Sequence, residues 1–445
     1  MRLESHSWFR TEPRNVKESL DRHILADGLD LIFDPSSSHD AWMVDARDGS
    51  EYLDLFSFFA SLPLGFNHPG LREEAYVGRL SQAAAIKPTC SDVYTQAMAD
   101  FVAAFARTLP PAFKHLFFVE GGALAVENAL KAAFDWKVRK NIAAGRSERL
   151  GSQIIHFQNA FHGRSGYTLS LTNTFDPRKT QYFPKFDWPR IDTPGRRFPE
   201  NAEALAAVEA AEAHSVAQIK DAISRNPHDI AALIIETIQG EGGDVHFRPE
   251  FFRKLRELCD QEEIILIFDE VQCGMGLTGR WWAFEHMGVE PDVFSFGKKT
   301  QVCGIAAGPR LDEVDSVFEV SSRINSTWGG NLVDMVRCER FIQIIEEQKL
   351  LDNARDVGAY ALDRLEEMAA GHGNVDNVRG RGLMCAFDLA DTATRDAVKG
   401  DLQDNQKVLM LASGQSTLRF RPVLDFTRDH VDEAIRRIDA AIRSV

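Results

Sequence analysis

Two short apolar runs end in residues that could hold opposite sides of one aromatic ring. Ile264 to Phe268 runs into Asp269-Glu270, and about one helical crossover later Asp292-Val293-Phe294-Ser295-Phe296-Gly297 runs into Lys298-Lys299. A lysine amine can form a Schiff base with an aldehyde, and a carboxylate can keep a pyridine nitrogen protonated. That pairing suits pyridoxal 5'-phosphate, whose ring then acts as an electron sink. For charges ~3 Å apart at an effective dielectric of about 20, the gross attraction is roughly 5 kcal/mol before desolvation, enough to move a pyridine pKa by a few units.

Ligands of open α/β sheets bind beyond the carboxyl ends of the strands, so the residues after each apolar run are where partners for this pair belong. His115 to Val119 is followed by Glu120-Gly121-Gly122-Ala123, which opens a helix; bare glycine backbone and the helix dipole favour a phosphate there. Taken alone, the glycine pair reads more readily as a turn before a helix. Gln153 to Phe157 leads to Phe161-His162-Gly163-Arg164, with an aromatic face for a ring and a guanidinium for a carboxylate. His162 reads as a structural hydrogen-bonding residue. Ala231 to Ile235 leads to Glu236-Thr237-Ile238-Gln239-Gly240-Glu241-Gly242-Gly243, two acids on a glycine-rich loop, of which Glu236 takes the structural part. An Asp-Glu after a strand also occurs in ATPases, but no glycine-lysine phosphate loop accompanies it here. The specific signal is the order: phosphate cradle, ring stack, pyridine partner and Schiff-base lysine at successive strand ends.

The elements that must position these residues form an α/β pattern. Between about 115 and 308, short β-rich runs alternate with helical stretches, which predicts a mostly parallel, doubly wound sheet. Ala123, Val126, Leu130, Ala133, Phe134 and Val138 recur at helical spacing and predict a single buried stripe. The Ala/Glu-rich stretch 202–214 reads as a surface helix. Beyond about 330 the pattern becomes one long helix, a strand over Gly382 to Leu389, a polar helix, and strands around Val408 to Leu411 and Thr417 to Pro422. A last helix follows, capped by Thr427, with Val431, Ile435, Ile438 and Ile442 on one face. Near the start, Trp42 to Asp45 and Glu51 to Leu55 flank Asp48-Gly49, a hairpin signal, and this hairpin is expected to pack with the C-terminal part. The division expected is a large domain at 66–330 and a smaller α+β domain built from 1–65 and 331–445.

Composition narrows the function classes. At 445 residues, 44% of them hydrophobic, the chain is too long for one simple core. Its 51 basic and 66 acidic side chains give a net charge of -15, which argues against nucleic acid and anionic membrane surfaces as partners. Cys90, Cys259, Cys273, Cys303, Cys338 and Cys385 are scattered, without metal-ligand spacing, and read as buried thiols in a reducing compartment. The opening Met1 to Trp8 lacks the apolar core of a signal peptide, and no apolar run approaches the ~20 residues that span a bilayer. A cytoplasmic location is expected.

Over almost its whole length the sequence resembles the class III, ornithine-like aminotransferases, pyridoxal phosphate enzymes of fold type I. Phe117 to Lys131, Phe161 to Tyr167, Phe296 to Gly304 and Asn325 to Asn331 are similar to the strings of those members that take an amino group from the end of L-lysine. The resemblance implies that Lys298 forms the Schiff base, Asp269 pairs with the pyridine nitrogen, Gln272 contacts the ring hydroxyl, Phe161 stacks on the ring, and Gly122 and Ala123 bind the phosphate. It implies a homodimer in which Thr327 reaches the neighbouring subunit's phosphate, with L-lysine and 2-oxoglutarate as substrates. Arg164 would bind the far carboxylate of either substrate and Arg419 the near carboxylate of 2-oxoglutarate, with Glu241 pairing with Arg419 while lysine is present. Thr237 departs from the class, which usually has proline there; Lys299 and Arg421 stand beside the residues assigned to chemistry. Rival readings are a class III enzyme with an ornithine, 4-aminobutyrate or acetylornithine donor, a racemase or decarboxylase of the same fold, and a ligand-sensing domain of a transcription regulator. The last would require a basic DNA-binding extension, a character the residues ahead of the hairpin at 42 do not have.

Overall fold

The computed structural model describes residues 11–86 and 92–445, so Cys90 and the opening Met1 to Trp8 lie outside the described residues. Near the N-terminus, β1 (Trp42–Val44) and β2 (Glu51–Asp54) form the expected antiparallel hairpin, with Trp42 opposite Leu53. The central sheet follows: β3 (His115–Val119), β4 (Gln153–Phe157), β5 (Arg190–Ile191), β6 (Ile230–Glu236), β7 (Ile265–Asp269), β8 (Val293–Phe296) and β9 (Cys303–Ala307). They lie side by side in the order β3-β9-β8-β7-β6-β4-β5. Neighbours from β8 through β5 are parallel, and β9 runs antiparallel between β3 and β8. β6, β7 and β8 are buried along their whole length, which explains their unbroken apolar runs: a strand covered on both faces has no polar side to alternate with.

The helix Gly122–Ala143 crosses the sheet and buries more than the single stripe expected of it. Asn128, Lys137 and Asn141 are buried as well, each donating to a backbone carbonyl. Lys137 Nζ donates to Glu263 O at 2.6 Å, and Asn141 Nδ2 donates to Leu150 O and His228 O at 3.1 and 2.9 Å. The helix Ala202–Arg225 spans the Ala/Glu-rich stretch and buries only Val208, Glu212, Ser215, Ile219 and Ala222.

After residue 330 there are two helices, Leu332–Glu347 and Leu350–Ala370, where one was expected; Lys349 breaks them with a left-handed φ of 54°. β10 (Val375–Arg381), not anticipated, pairs with β11 (Met384–Leu389). The expected strand around 408–411 is divided between two sheets. β12 (Val408–Leu409) adds a parallel third strand to the N-terminal hairpin, while β13 (Leu411–Ser413) pairs with β14 (Thr417–Phe420). The closing helix, Arg428–Ser444, is capped by Thr427, whose hydroxyl accepts from His430 N at 3.2 Å, and it buries Val431, Ile435, Ile438 and Ile442 as expected. Cys259, Cys273, Cys303, Cys338 and Cys385 are free and buried. Among the described residues no helix is long and apolar enough to cross a membrane.

One buried ion pair fixes the glycine-rich loop after β6 to the C-terminal sheet. Asp244 and Arg421, 0% and 1% exposed, form it, and Arg379 Nε donates to Asp244 O at 3.0 Å. Removing one member strands the other charge in a dry site. Asp244→Ala is therefore expected to lower unfolding free energy by about 3–5 kcal/mol, whereas adding Arg421→Met should recover part of that loss. Urea unfolding of the three proteins measures both.

Candidate active site

The carboxyl ends of β6, β7 and β8 are in register: Glu236 lies opposite Asp269, and Asp269 opposite Ser295. Lys298 follows β8 by two residues, in a left-handed conformation with φ 55°. Asp269 is 4% exposed, and both its carboxylate oxygens accept hydrogen bonds, Oδ2 only one. Oδ1 accepts from Val271 N at 3.0 Å and Ser295 Oγ at 3.1 Å, and Oδ2 accepts from His162 Nδ1 at 2.8 Å. The second ring nitrogen of His162, Nε2, is buried with no hydrogen-bond partner among the described residues. Burial, followed by the charge of Arg419, pushes the Lys298 amine down to about 8, against the opposing pull of Glu236 and Asp269.

Glu236 and Glu270 are both pushed up to about 7 by burial. Glu236 holds the loops on either side of it: Oε1 accepts from Phe161 N at 2.8 Å and Oε2 from Gly240 N at 3.0 Å. Its structural assignment fits this geometry. Glu270 accepts from Ala283 N, Phe284 N and Thr237 Oγ1, at 2.8, 3.0 and 2.5 Å. The last bond accounts for the departure at 237, since a proline there would leave Glu270 one donor short.

Lys299 does not compete with Lys298. It is 1% exposed and its Nζ donates to Ala60 O at 2.7 Å, while Gln301 Nε2 donates to Ser61 O at 2.9 Å. These bonds brace Ser57, Phe58, Phe59 and Ala60, four non-glycine residues in succession with φ between 40° and 64°. Left-handed backbone costs about 1–2 kcal/mol per L-residue. Asp54 Oδ1 offsets part of it by accepting from Phe56 N and Ser57 N at 2.8 Å, and Ser57 Oγ donates to Arg421 O at 2.7 Å.

The remaining candidates lie on loops around these strand ends. Gly122 and Ala123 begin the helix Gly122–Ala143, and the N-cap Gly121, at φ 100°, has open space where a side chain would stand. That start is thus bare backbone, as a phosphate requires. Gly163 lets the Phe161–Arg164 loop press onto it; a Cβ at 163 would come within 2.5 Å of the Ala123 methyl. Phe161 is half-buried and Arg164 exposed. Thr327 is exposed on a segment that lies beside the same helix start, where Trp328 O accepts from Glu120 N at 3.2 Å. Gln272 Oε1 accepts from Arg419 Nη1 at 3.5 Å, and Arg419 Nη2 donates to Ala412 O at 3.1 Å. Burial pulls Arg419 down to about 10, which leaves it cationic at neutral pH. Arg421, engaged by Asp244, is not a rival for it.

Glu241 and Arg419 are not paired here. Lys179 Nζ donates to Glu241 Oε1 at 2.5 Å instead, and Oε2 is buried with no partner among the described residues. Sequence reasoning also missed Val271, whose side chain lies against Gly122 and Gly297 and forms part of the floor between phosphate cradle and lysine. It understated His162, whose partner is 107 positions away. The donor set fits pyridoxal phosphate: one desolvated amine, one carboxylate oriented by a histidine, and a glycine-lined helix start.

Comparison with known proteins agrees with this geometry. The aminotransferase class-III family model matches residues 27–442. The chain is 53% identical over 436 residues to the L-lysine-epsilon aminotransferase of Mycobacterium tuberculosis, covering 97% of this chain and 96% of that protein. It is 50% identical over 439 residues to the enzyme of the same name from Amycolatopsis lactamdurans, with 97% and 96% covered. A solved lysine aminotransferase from M. tuberculosis in the internal aldimine form superposes with a TM-score of 0.95 at 53% identity, covering 98% of this chain and 100% of that one.

Because burial disfavours the ammonium, the neutral amine of Lys298 should appear at lower pH than that of an ordinary lysine. Trace acetylation of cofactor-free protein, read by peptide mass mapping, is expected to give a midpoint near pH 8 at Lys298. A midpoint at the ordinary lysine value would contradict the desolvated setting.

Proposed function

The chain belongs to the class III aminotransferases and works with pyridoxal 5'-phosphate, and on that premise we propose that it moves the terminal amino group of L-lysine to 2-oxoglutarate. The products are L-glutamate and 2-aminoadipate 6-semialdehyde, which cyclises to piperideine-6-carboxylate. The near-full-length likeness to the L-lysine-epsilon aminotransferases is the observation that carries the choice of donor.

When bound, pyridoxal phosphate supplies an aldehyde and an electron-accepting ring. Lys298 would hold it, and Lys298 Nζ, as a free amine, would take a proton from the substrate carbon that bears the amine and later return one. A desolvated amine with its pKa near 8 suits both directions of transfer. Asp269 would hold the ring nitrogen, its carboxylate oriented by His162. Phe161 and Val271 would lie beside the ring, Gln272 would meet its hydroxyl, and the backbone of Gly122 and Ala123 would take the phosphate. In a homodimer, Thr327 of each subunit reaches its neighbour's phosphate. The part at 66–330 carries the cofactor, and 1–65 with 331–445 close over it.

Two dissimilar substrates share this site. Lysine presents a terminal amine with no carboxylate on the reacting carbon, whereas 2-oxoglutarate presents a keto group beside one. Arg164 serves the far carboxylate of both, and Arg419 serves the near carboxylate of 2-oxoglutarate alone. An unmasked Arg419 would draw lysine in by the wrong end, so Glu241 neutralises it during the lysine half-reaction.

Protein supplied with L-lysine, 2-oxoglutarate and cofactor should yield glutamate and a cyclising semialdehyde; preference for ornithine or 4-aminobutyrate in the same assay would overturn the donor. Asp269→Asn is expected to cost at least a hundredfold in turnover with an unchanged unfolding curve. Glu241→Ala should impair the half-reaction with lysine ~10-fold more than that with glutamate, and equal loss in single-turnover rates would exclude the gate.

A further inference from the structure

A carboxylate that alternates between two states needs a partner in each. In the Proposed function Glu241 pairs with Arg419 while lysine is present, and the structure shows where it goes otherwise. We infer that Lys179 is the second partner of Glu241, holding it off Arg419 so that a dicarboxylate can enter, and that Lys179 thereby sets affinity for the acceptor. The inference rests on the reading of Glu241 and Arg419 as a gate.

Lys179 ends a short turn, Pro177–Lys179, whose start is capped by Asp176 accepting from Arg178 N at 3.1 Å. Asp176 also takes the Arg178 guanidinium, with Nε to Oδ1 at 2.8 Å, so Lys179 is the cation of this turn that faces the site. The Lys179 and Glu241 side chains, 32% and 21% exposed, meet at the wall of a cavity of about 530 Å³. Asp176, Arg395, Ala412 and Ser413 also line it. Arg395 is engaged with Asp396 at 2.7 Å. Ala412 joins this cavity to the gate, since its carbonyl accepts from Arg419. The backbone of Glu241 is fixed, its carbonyl accepting from Gly414 N at 2.9 Å, so only the side chain can swing. Arg419, meanwhile, has a buried Nε with no partner among the described residues and one long bond to Gln272, an arginine short of acceptors.

The two partners differ in setting. Arg419 is buried and offers a fork of donors; Lys179 is partly solvated, and its attraction is screened. A carboxylate arriving on 2-oxoglutarate competes with Glu241 for Arg419, and Lys179 gives the released anion a partner. Lysine brings no such carboxylate, and Glu241 returns. A partly exposed pair of this kind shifts affinity severalfold, not a thousandfold.

The test compares cofactor-loaded wild type with Lys179→Met and Lys179→Arg. Calorimetry gives the Kd of glutarate, an unreactive dicarboxylate, and kinetics give KM for 2-oxoglutarate and the single-turnover rate with lysine. Lys179→Met is expected to weaken glutarate and raise KM for 2-oxoglutarate by ~3–10-fold with little change in kcat, while the lysine rate rises or falls by less than twofold; Lys179→Arg should restore the wild-type values. Unchanged glutarate Kd and KM in Lys179→Met, or equal losses in both half-reactions, would overturn the inference. Should wild type fail to react with lysine, the proposed donor falls, yet the glutarate comparison still decides the role of Lys179.

Discussion

Charge held in a dry place governs this molecule. Where β6, β7 and β8 end, Glu236, Asp269, Glu270 and Lys298 gather among apolar side chains that would ordinarily exclude them. Such groups persist only with donors aimed at them. Glu236 has two backbone amides, Glu270 two amides and the Thr237 hydroxyl, and Asp269 an amide, a hydroxyl and an imidazole. The donors come from loops far apart in the chain, so satisfying the carboxylates also fixes those loops. Folding the site and folding the strand ends are thus one event.

The same dryness gives the lysine its character. An ammonium among apolar walls, with Arg419 nearby, loses its proton more readily than one in water, and the neighbouring acids hold this tendency in check. Asp269 keeps its orientation through His162, and the ends of β7 and β8 set where the carboxylate and the amine stand. Further out the rules change. Glu241 and Lys179 are partly wet, their attraction is weaker, and that weakness allows a reversible choice between partners.

Much of this was legible in the sequence because buried parallel strands announce themselves. The runs ending at Val119, Phe157, Ile235, Phe268 and Phe296 are apolar and short, and the polar residues after them stand out by contrast. What stayed hidden had no local mark. β10, Val375–Arg381, carries three charged residues and a glycine and reads as a loop until β11 pairs with it. Val408 to Leu411 reads as one strand, since the switch between two sheets at Met410 depends on partners and not on composition. His162 seemed structural because a bond to a residue 107 positions away leaves no spacing to read. Lys179 lies in a polar stretch like many others, and only the fold brings it to Glu241. Lys298 and Lys299 were ambiguous side by side until Ala60 claimed one of them.

That claim reaches beyond the choice of lysine. The turn at 57–60 is bound by Lys299 from the middle of the chain and by the backbone of Arg421 from near its end. During synthesis the early turn must wait in an unfavourable conformation, or not form, until the last strand has emerged from the ribosome. A half-made polypeptide accordingly cannot hold this turn in its final form.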